Sequence, residues 1–287
     1  MAKSRFCDSR PLLLGAIALV AISSFARAAG VVLVVCAPGY PGSTAEAQPA
    51  MDGLAEAISA GAGWDEGAVE AVYFESEHAG VARLQSPDAG LALVTLPFFL
   101  EHRAELDLRP HLMAVPTGRE PLESWSLVAG AGLVKRPADL EGWELLSLAG
   151  HSPGFVSGPA LGDWGAVPNS LTITFSGAVL SGLRRAAKGE SVTLLLDGGQ
   201  TESVSRLPFA DQLEIIHRSP LLPVSVVCSV GDRVPPKQLS NVLTALEDLD
   251  DRHGAAEALA GVRLTRFVPV DRAILKQAEH SFSGAHE

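Results

Sequence analysis

The sequence predicts an α/β chain folded as two lobes, with mostly parallel sheets flanked by helices and two hinge crossings between them. Three observations point there. Short β-branched runs alternate with segments of helical apolar period, the pattern of strand–helix units that build parallel sheets. Two Pro-containing stretches, near 116–123 and 217–223, bracket a middle segment of about a hundred residues, an ordinary domain size. Hydrophobic residues make up 47% of the chain and aromatic ones only 6%, so its cores are built mainly from Ala, Leu and Val. A length of 287 residues fits either one large α/β domain or two domains of ordinary size.

Residues 1–28 read as a removable export signal. Lys3, Arg5 and Arg10 give a positive start, and Pro11 to Phe25 is apolar but shorter than the ~20 residues a membrane span needs. Ala26-Arg27-Ala28 then supplies a small-x-small cleavage pattern. The alternative is a retained anchor. Removing Lys3, Arg5, Arg10 and Arg27 from 22 basic residues, and Asp8 from 33 acidic ones, leaves 18 and 32, a formal charge of −14. So acidic a surface argues against nucleic acid and anionic membranes as partners. Cleavage would make the protein periplasmic.

Val31 to Cys36 is a continuous β-branched run, suited to a strand buried on both faces. A Pro/Gly turn follows, and Ser43 or Thr44 can cap a helix carrying Ala47, Met51, Leu54 and Ile58 on one face. Val69 to Phe74 and Leu91 to Thr95 are further strands, the latter ending at Leu96-Pro97. The chain is expected to leave lobe 1 (29–118 and 222–287) for lobe 2 (119–221) through the turn containing Pro116, Gly118 and Pro121. In lobe 2, strands are expected at Trp125–Gly130, Leu145–Leu148, Thr172–Phe175, Val192–Leu196 and Leu213–Ile216, with a helix from Ala178 to Ala186. After the return crossing come a strand at Val224–Cys228, an amphipathic helix marked by Leu239 to Leu249, a strand within Val262–Val270, and a last helix ending near Phe282.

Ligands of open α/β sheets sit beyond the carboxyl ends of strands. Five strand ends here carry small or hydroxylated residues before a helix: Gly39 to Thr44, with Tyr40, Ser43 and Thr44; Thr95-Leu96; Ser152 to Phe155, with Gly154; Ser176-Gly177; and Asp197-Gly198-Gly199. Each helix start offers unpaired N–H groups and partial positive charge, a cradle for an anion. Each can equally be a plain turn and cap. Tyr40 and Phe155 either contact a ligand or pack, and Asp197 either meets an ammonium group or caps its helix. His151-Ser152 lacks a nucleophile elbow and is followed by Pro153, so no catalytic set is expected. Neither a metal nor a cofactor is expected. Cys36 and Cys228 remain after the signal; they either pair in an oxidising compartment or stay as two buried thiols.

The order of several motifs resembles the phosphate/phosphite/phosphonate-type substrate-binding proteins of ABC transporters, which have the type 2 periplasmic binding protein fold. The segments are Arg136–Gly142 (RPADLEG), His151–Gly158, Thr174-Phe175-Ser176-Gly177, Val192–Asp197, Ile216–Pro220 and Phe267-Val268-Pro269-Val270. The resemblance implies a periplasmic, monomeric receptor that closes on a small anion and hands it to an inner-membrane permease. Its ligand loops would lie around Tyr40, Ser43, Thr95, Ser152, Ser176 and Asp197. A sensor or accessory protein of the same fold is the alternative.

Overall fold

A computed structural model describes residues 30–285. The export signal expected over 1–28 lies outside the described residues.

The first sheet begins with β1 (Val31–Cys36), followed by α1 (Thr44–Gly61), β2 (Val69–Phe74), α2 (Glu77–Leu84), β3 (Ala89–Thr95), α3 (Leu96–His102) and β4 (Leu108–Pro116). The chain crosses through β5 (Leu122–Glu123) into a second sheet of β6 (Ser126–Gly130), β7 (Glu144–Ser147), β8 (Thr172–Phe175), β9 (Val192–Leu196) and β10 (Leu213–Arg218). Its helices are α4 (Pro153–Phe155), which runs into a wider turn at Val156–Ala160, α5 (Val179–Ala187) and α6 (Gly198–Val204). The return passes through β11 (Leu222–Pro223) to β12 (Ser225–Val230), α7 (Pro236–Glu247), α8 (Ala255–Gly261), β13 (Leu264–Pro269) and α9 (Arg272–Gly284).

The sheets run β13-β4-β12-β3-β1-β2 and β10-β6-β9-β7-β8, while β5 and β11 pair antiparallel as the crossing ribbon. Both sheets are mixed, which corrects the expectation of mostly parallel ones. β1 is parallel to β2 and β3, and β7 to β8 and β9. The strands bordering the crossings run the other way: β12 against β3 and β4, β13 against β4, and β6 against β9 and β10. A strand entering from the other lobe need not keep the direction that a βαβ unit imposes, so alternation of strands and helices misjudges these edges.

Strand alternation splits the first lobe into two cores. Val31 and Leu33 face α1, α7 and α8, with Leu54, Ile58, Val242 and Leu246. Val32, Val34 and Cys36 face α2 and α3, and that core continues without a break into the second lobe through Trp125, Phe155 and Leu195. The far face of the second sheet is covered by α5 and α6. Helix α9, grouped by chain order with the first lobe, places Leu275, Ala278 and Phe282 in the core shared by the two lobes. It docks on the 156–160 turn, where a Cβ at Gly158 would stand 2.3 Å from the Ser281 carbonyl oxygen, so only glycine admits the helix.

Cys36 and Cys228 are buried and free, on β1 and β12 with β3 between them. Burial, then the charges of Glu77 and Glu75, pushes the Cys36 thiol up to about 12. Burial raises Cys228 well above its ordinary value.

Candidate functional site

The strand ends of both sheets meet at a seam between the lobes, and side chains bridge it at two points. The Tyr40 hydroxyl, just after β1, donates to Asp197 Oδ2 at 2.9 Å across the gap. The Ser152 hydroxyl donates to Glu101 Oε2 on α3 at 2.7 Å. Backbone approach supports the first bridge. Gly39 has φ +76°, and a Cβ there would lie 2.5 Å from Leu148 Cδ2 and 3.0 Å from Phe175 Cζ, so the turn carrying Tyr40 needs glycine for both dihedral and space.

Asp197 caps α6: its Oδ1 accepts the Gln200 N–H at 2.8 Å, and Gln200 Oε1 accepts the Asp197 N–H. The Gly198 N–H at the same helix start donates to Glu123 Oε2 at 2.9 Å. Glu123 belongs to the crossing strand β5 and also meets Arg119, at 3.3 Å. The positive helix start is therefore filled by two of the chain's own carboxylates. Burial, then the Asp197 charge, pushes the Glu123 carboxyl up to about 7, with the Gly198 N–H and Arg119 pulling the other way. Burial and the same Asp197 hold the Tyr40 hydroxyl well above its ordinary value, so it stays a donor.

On the second bridge, Nδ1 of His151 lies 2.8 Å from the Leu148 carbonyl. A carbonyl only accepts, so Nδ1 carries the proton and Nε2 is left as a buried acceptor without a protein partner. Burial lowers the His151 pKa, opposed by Glu77, and its ring meets Phe175 edge-on at 5.9 Å.

Beside the Tyr40 bridge a cavity of about 680 Å³ opens at the carboxyl ends of β1 and β3, under α1 and the 261–264 loop. Its polar lining residues include Tyr40, Glu46, Thr95, Arg119, Ser225 and Arg263. The Thr95 hydroxyl is buried and has no protein partner. Arg263 takes a left-handed backbone, φ +57°, and its carbonyl accepts the Thr117 N–H at 3.0 Å, which ties the cavity roof to the crossing.

Of the residues expected to line a ligand site, Tyr40 and Thr95 line the cavity, and Ser152, Gly177 and Asp197 stand at the seam. The others are elsewhere. Ser43 caps α1 in a reciprocal box with Glu46, and Thr44 donates to Glu75 Oε2 at 3.1 Å, so those groups are engaged by the chain's own carboxylates. Leu96, Gly154 and Phe155 are buried, and Phe155 stands edge-on to Trp125 at 5.1 Å. The Ser176 hydroxyl accepts the Ala178 N–H, whereas Gly177, at the seam, sits 3.6 Å (as a built Cβ) from the Gly39 carbonyl. The picture of many free helix amides converging on one guest is thus corrected at α1 and α6, whose starts are already capped. Glu101, Glu123, Arg119 and Arg263 went unread. The i,i+4 spacing of Arg119 and Glu123 inside a crossing segment was the one available signal.

A profile of ABC transporter phosphonate periplasmic substrate-binding proteins matches residues 41–274. The chain belongs to this family. Solved structures share the fold. XAC2383 from Xanthomonas citri, bound to ATP, is 15% identical over 90% of this chain and 98% of that one, with a TM-score of 0.68. PA3383 from Pseudomonas aeruginosa, a binding protein component of an ABC phosphonate transporter, is 13% identical over 90% and 88%, at 0.62. PhnD1 from Prochlorococcus marinus, in complex with methylphosphonate, is 14% identical over 89% and 98%, at 0.61. A search of curated proteins finds no match. This substrate-binding protein therefore has the type 2 periplasmic binding protein fold, and its family implies a small-molecule ligand and a membrane transporter as partners. The family is one of binding proteins rather than enzymes. Among the described residues, no cluster of three His, Cys, Asp or Glu could hold a metal ion, and no helix is long and apolar enough to cross a membrane.

Proposed function

We propose that this substrate-binding protein captures a small phosphate- or phosphonate-like anion in the periplasm and presents it, lobes closed, to an ABC permease. The observation that carries the reading is the cavity at the seam, lined by Arg119, Arg263 and Thr95, whose buried hydroxyl has no protein partner. Guanidinium is matched to tetrahedral oxyanions by its planar fork of donors. The bridges Tyr40–Asp197 and Ser152–Glu101 support closure, because each couples one lobe to the other. A closed state stabilised by a guest from both sides is what a permease can distinguish from an empty one. The methylphosphonate in PhnD1 from Prochlorococcus marinus adds support for the ligand class.

The test is a thermal-shift screen with phosphate, phosphite, methylphosphonate, simple carboxylates and amino acids. An anion at ~100 times its Kd should stabilise the fold by roughly 2.7 kcal/mol. Phosphate-like members should raise Tm, and Arg263→Ala should remove the rise. A flat response to every phosphate-like anion, or a full response in Arg263→Ala, would count against this site and ligand.

A further inference from the structure

Arg119 serves two spaces. It lines the seam cavity, and it also lines a second groove formed by the crossing, α6 and β10, which Glu123 shares. Its Nη1 donates to Glu123 Oε2 at 3.3 Å, and the same oxygen accepts the Gly198 N–H at 2.9 Å. The start of α6 closes tightly on this pair. A Cβ at Gly198 would stand 2.8 Å from Glu123 Oε2, and one at Gly199 would stand 2.8 Å from Arg119 Nη1. A side chain at either position would push a charged group off the helix start, so the glycine pair reserves their place. Both donors fall on Oε2, which leaves Oε1 to take a proton without loss of the Gly198 bond. Asp197, in contrast, has a donor on each oxygen, the Gln200 N–H and the Tyr40 hydroxyl.

From this arrangement we infer that Glu123 is a built-in competitor for Arg119: its carboxylate holds the guanidinium while the cavity is empty, and an anion that takes Arg119 does so with uptake of a proton from water at Glu123. The inference rests on the anion-capture reading and adds the regulation of that site. An anion arriving at Arg119 meets the charges of Asp197 and Glu123 where water screens them poorly. A proton on Glu123 removes one of those charges and frees the guanidinium fork for the guest. Asp197 and Glu202 hold that proton on, while Arg119 and the Gly198 N–H draw it off. Tyr40 also feels the Glu123 charge, and Glu120, Asp211, Glu214, Arg218 and Arg266 line the same groove. With burial as the largest cause, the carboxyl titrates at about 7, so the competitor is switched near neutrality.

Isothermal titration of the full chain with methylphosphonate, and in parallel with phosphate, measures the coupling between about pH 6 and about pH 8. Phosphoryl groups lose a proton of their own in this range, so the natural protein is read against uncharged replacements. Glu123→Gln and Glu123→Met are both used, so that one misfolded variant leaves the comparison readable. The Kd of the natural protein divided by that of a folded variant should rise about tenfold across the window, following a carboxyl that titrates at about 7. Calorimetry in buffers of different ionisation enthalpy should also show the natural protein taking up close to one more proton per ligand than the variants at the upper pH. A ratio that stays constant with pH, equal proton uptake, or tighter binding by the natural protein at the upper pH would overturn the competitor role while anion capture stands. If neither anion binds any of the three proteins, anion capture itself fails and this inference falls with it.

Discussion

Phe155→Ala should lower the unfolding free energy by about 3–5 kcal/mol, the range for removing a fully buried aromatic ring. Phe155 is 0% exposed and belongs to the core that runs from Val94 and Phe98 in one lobe to Trp125 and Leu195 in the other. Its edge-on contact with Trp125 adds a directional component to the lost area. Because that core joins the lobes, the loss should appear as one cooperative transition at lower urea concentration rather than as melting of one lobe. The same variant separates packing from ligand contact. A packing residue loses stability while a folded sample keeps its ligand affinity. Unchanged stability with lost affinity would restore Phe155 to the site.

Glu123→Gln should stabilise the protein above neutral pH and change little in acid. Glu123 titrates at about 7 in the fold, against an ordinary value of 4.5, chiefly because it is buried and next because Asp197 is near. The groups facing it are Asp197 and Glu202, which raise it, and Arg119 and the Gly198 N–H, which lower it. A carboxyl with a raised pKa binds its proton more tightly folded than unfolded. Its favourable contribution is complete below about pH 4.5 and is lost as pH rises to about 7. The full shift corresponds to roughly 3 kcal/mol. Glutamine keeps an oxygen for the Gly198 N–H and removes the charge. The Tm gap between the variant and the natural protein should therefore open between pH 4.5 and 7 and then level. Parallel Tm curves across that window would show that Glu123 ionises without cost to the fold.

Much of the fold was legible because its signals are local. Val31–Cys36, Thr172–Phe175 and Val192–Leu196 read as strands from sequence and occupy those spans in the structure. Helix α7 follows its leucine stripe. Three short helices carried no such stripe: α2 buries only Gly80 and Leu84, α6 only Thr201 and Val204, and α8 only Ala255 and Leu259. Strand direction at β6 and β12 depends on how the chain returns between lobes, which no local period records.

The site was half legible. Tyr40 and Asp197 were marked by their places at strand ends, but their bond joins residues 157 positions apart. Whether a hydroxyl at a helix start is free or spent is likewise decided by partners far along the chain. Thr44 is engaged by Glu75 and Ser152 by Glu101, whereas Thr95 has none. Glu123 carries no local signal of its role beyond its spacing from Arg119. Only folding sets it against Gly198 and the α6 start.

Closure can be measured directly as a distance. Spin labels on Glu56→Cys in α1 and Lys188→Cys just after α5 report lobe separation by pulsed electron resonance. Both positions are exposed, while Cys36 and Cys228 are buried and should escape labelling. Saturating methylphosphonate should collapse the distance distribution to a single shorter, narrower population. A distribution that is the same with and without methylphosphonate, in a sample shown by calorimetry to have bound it, would contradict capture by lobe closure.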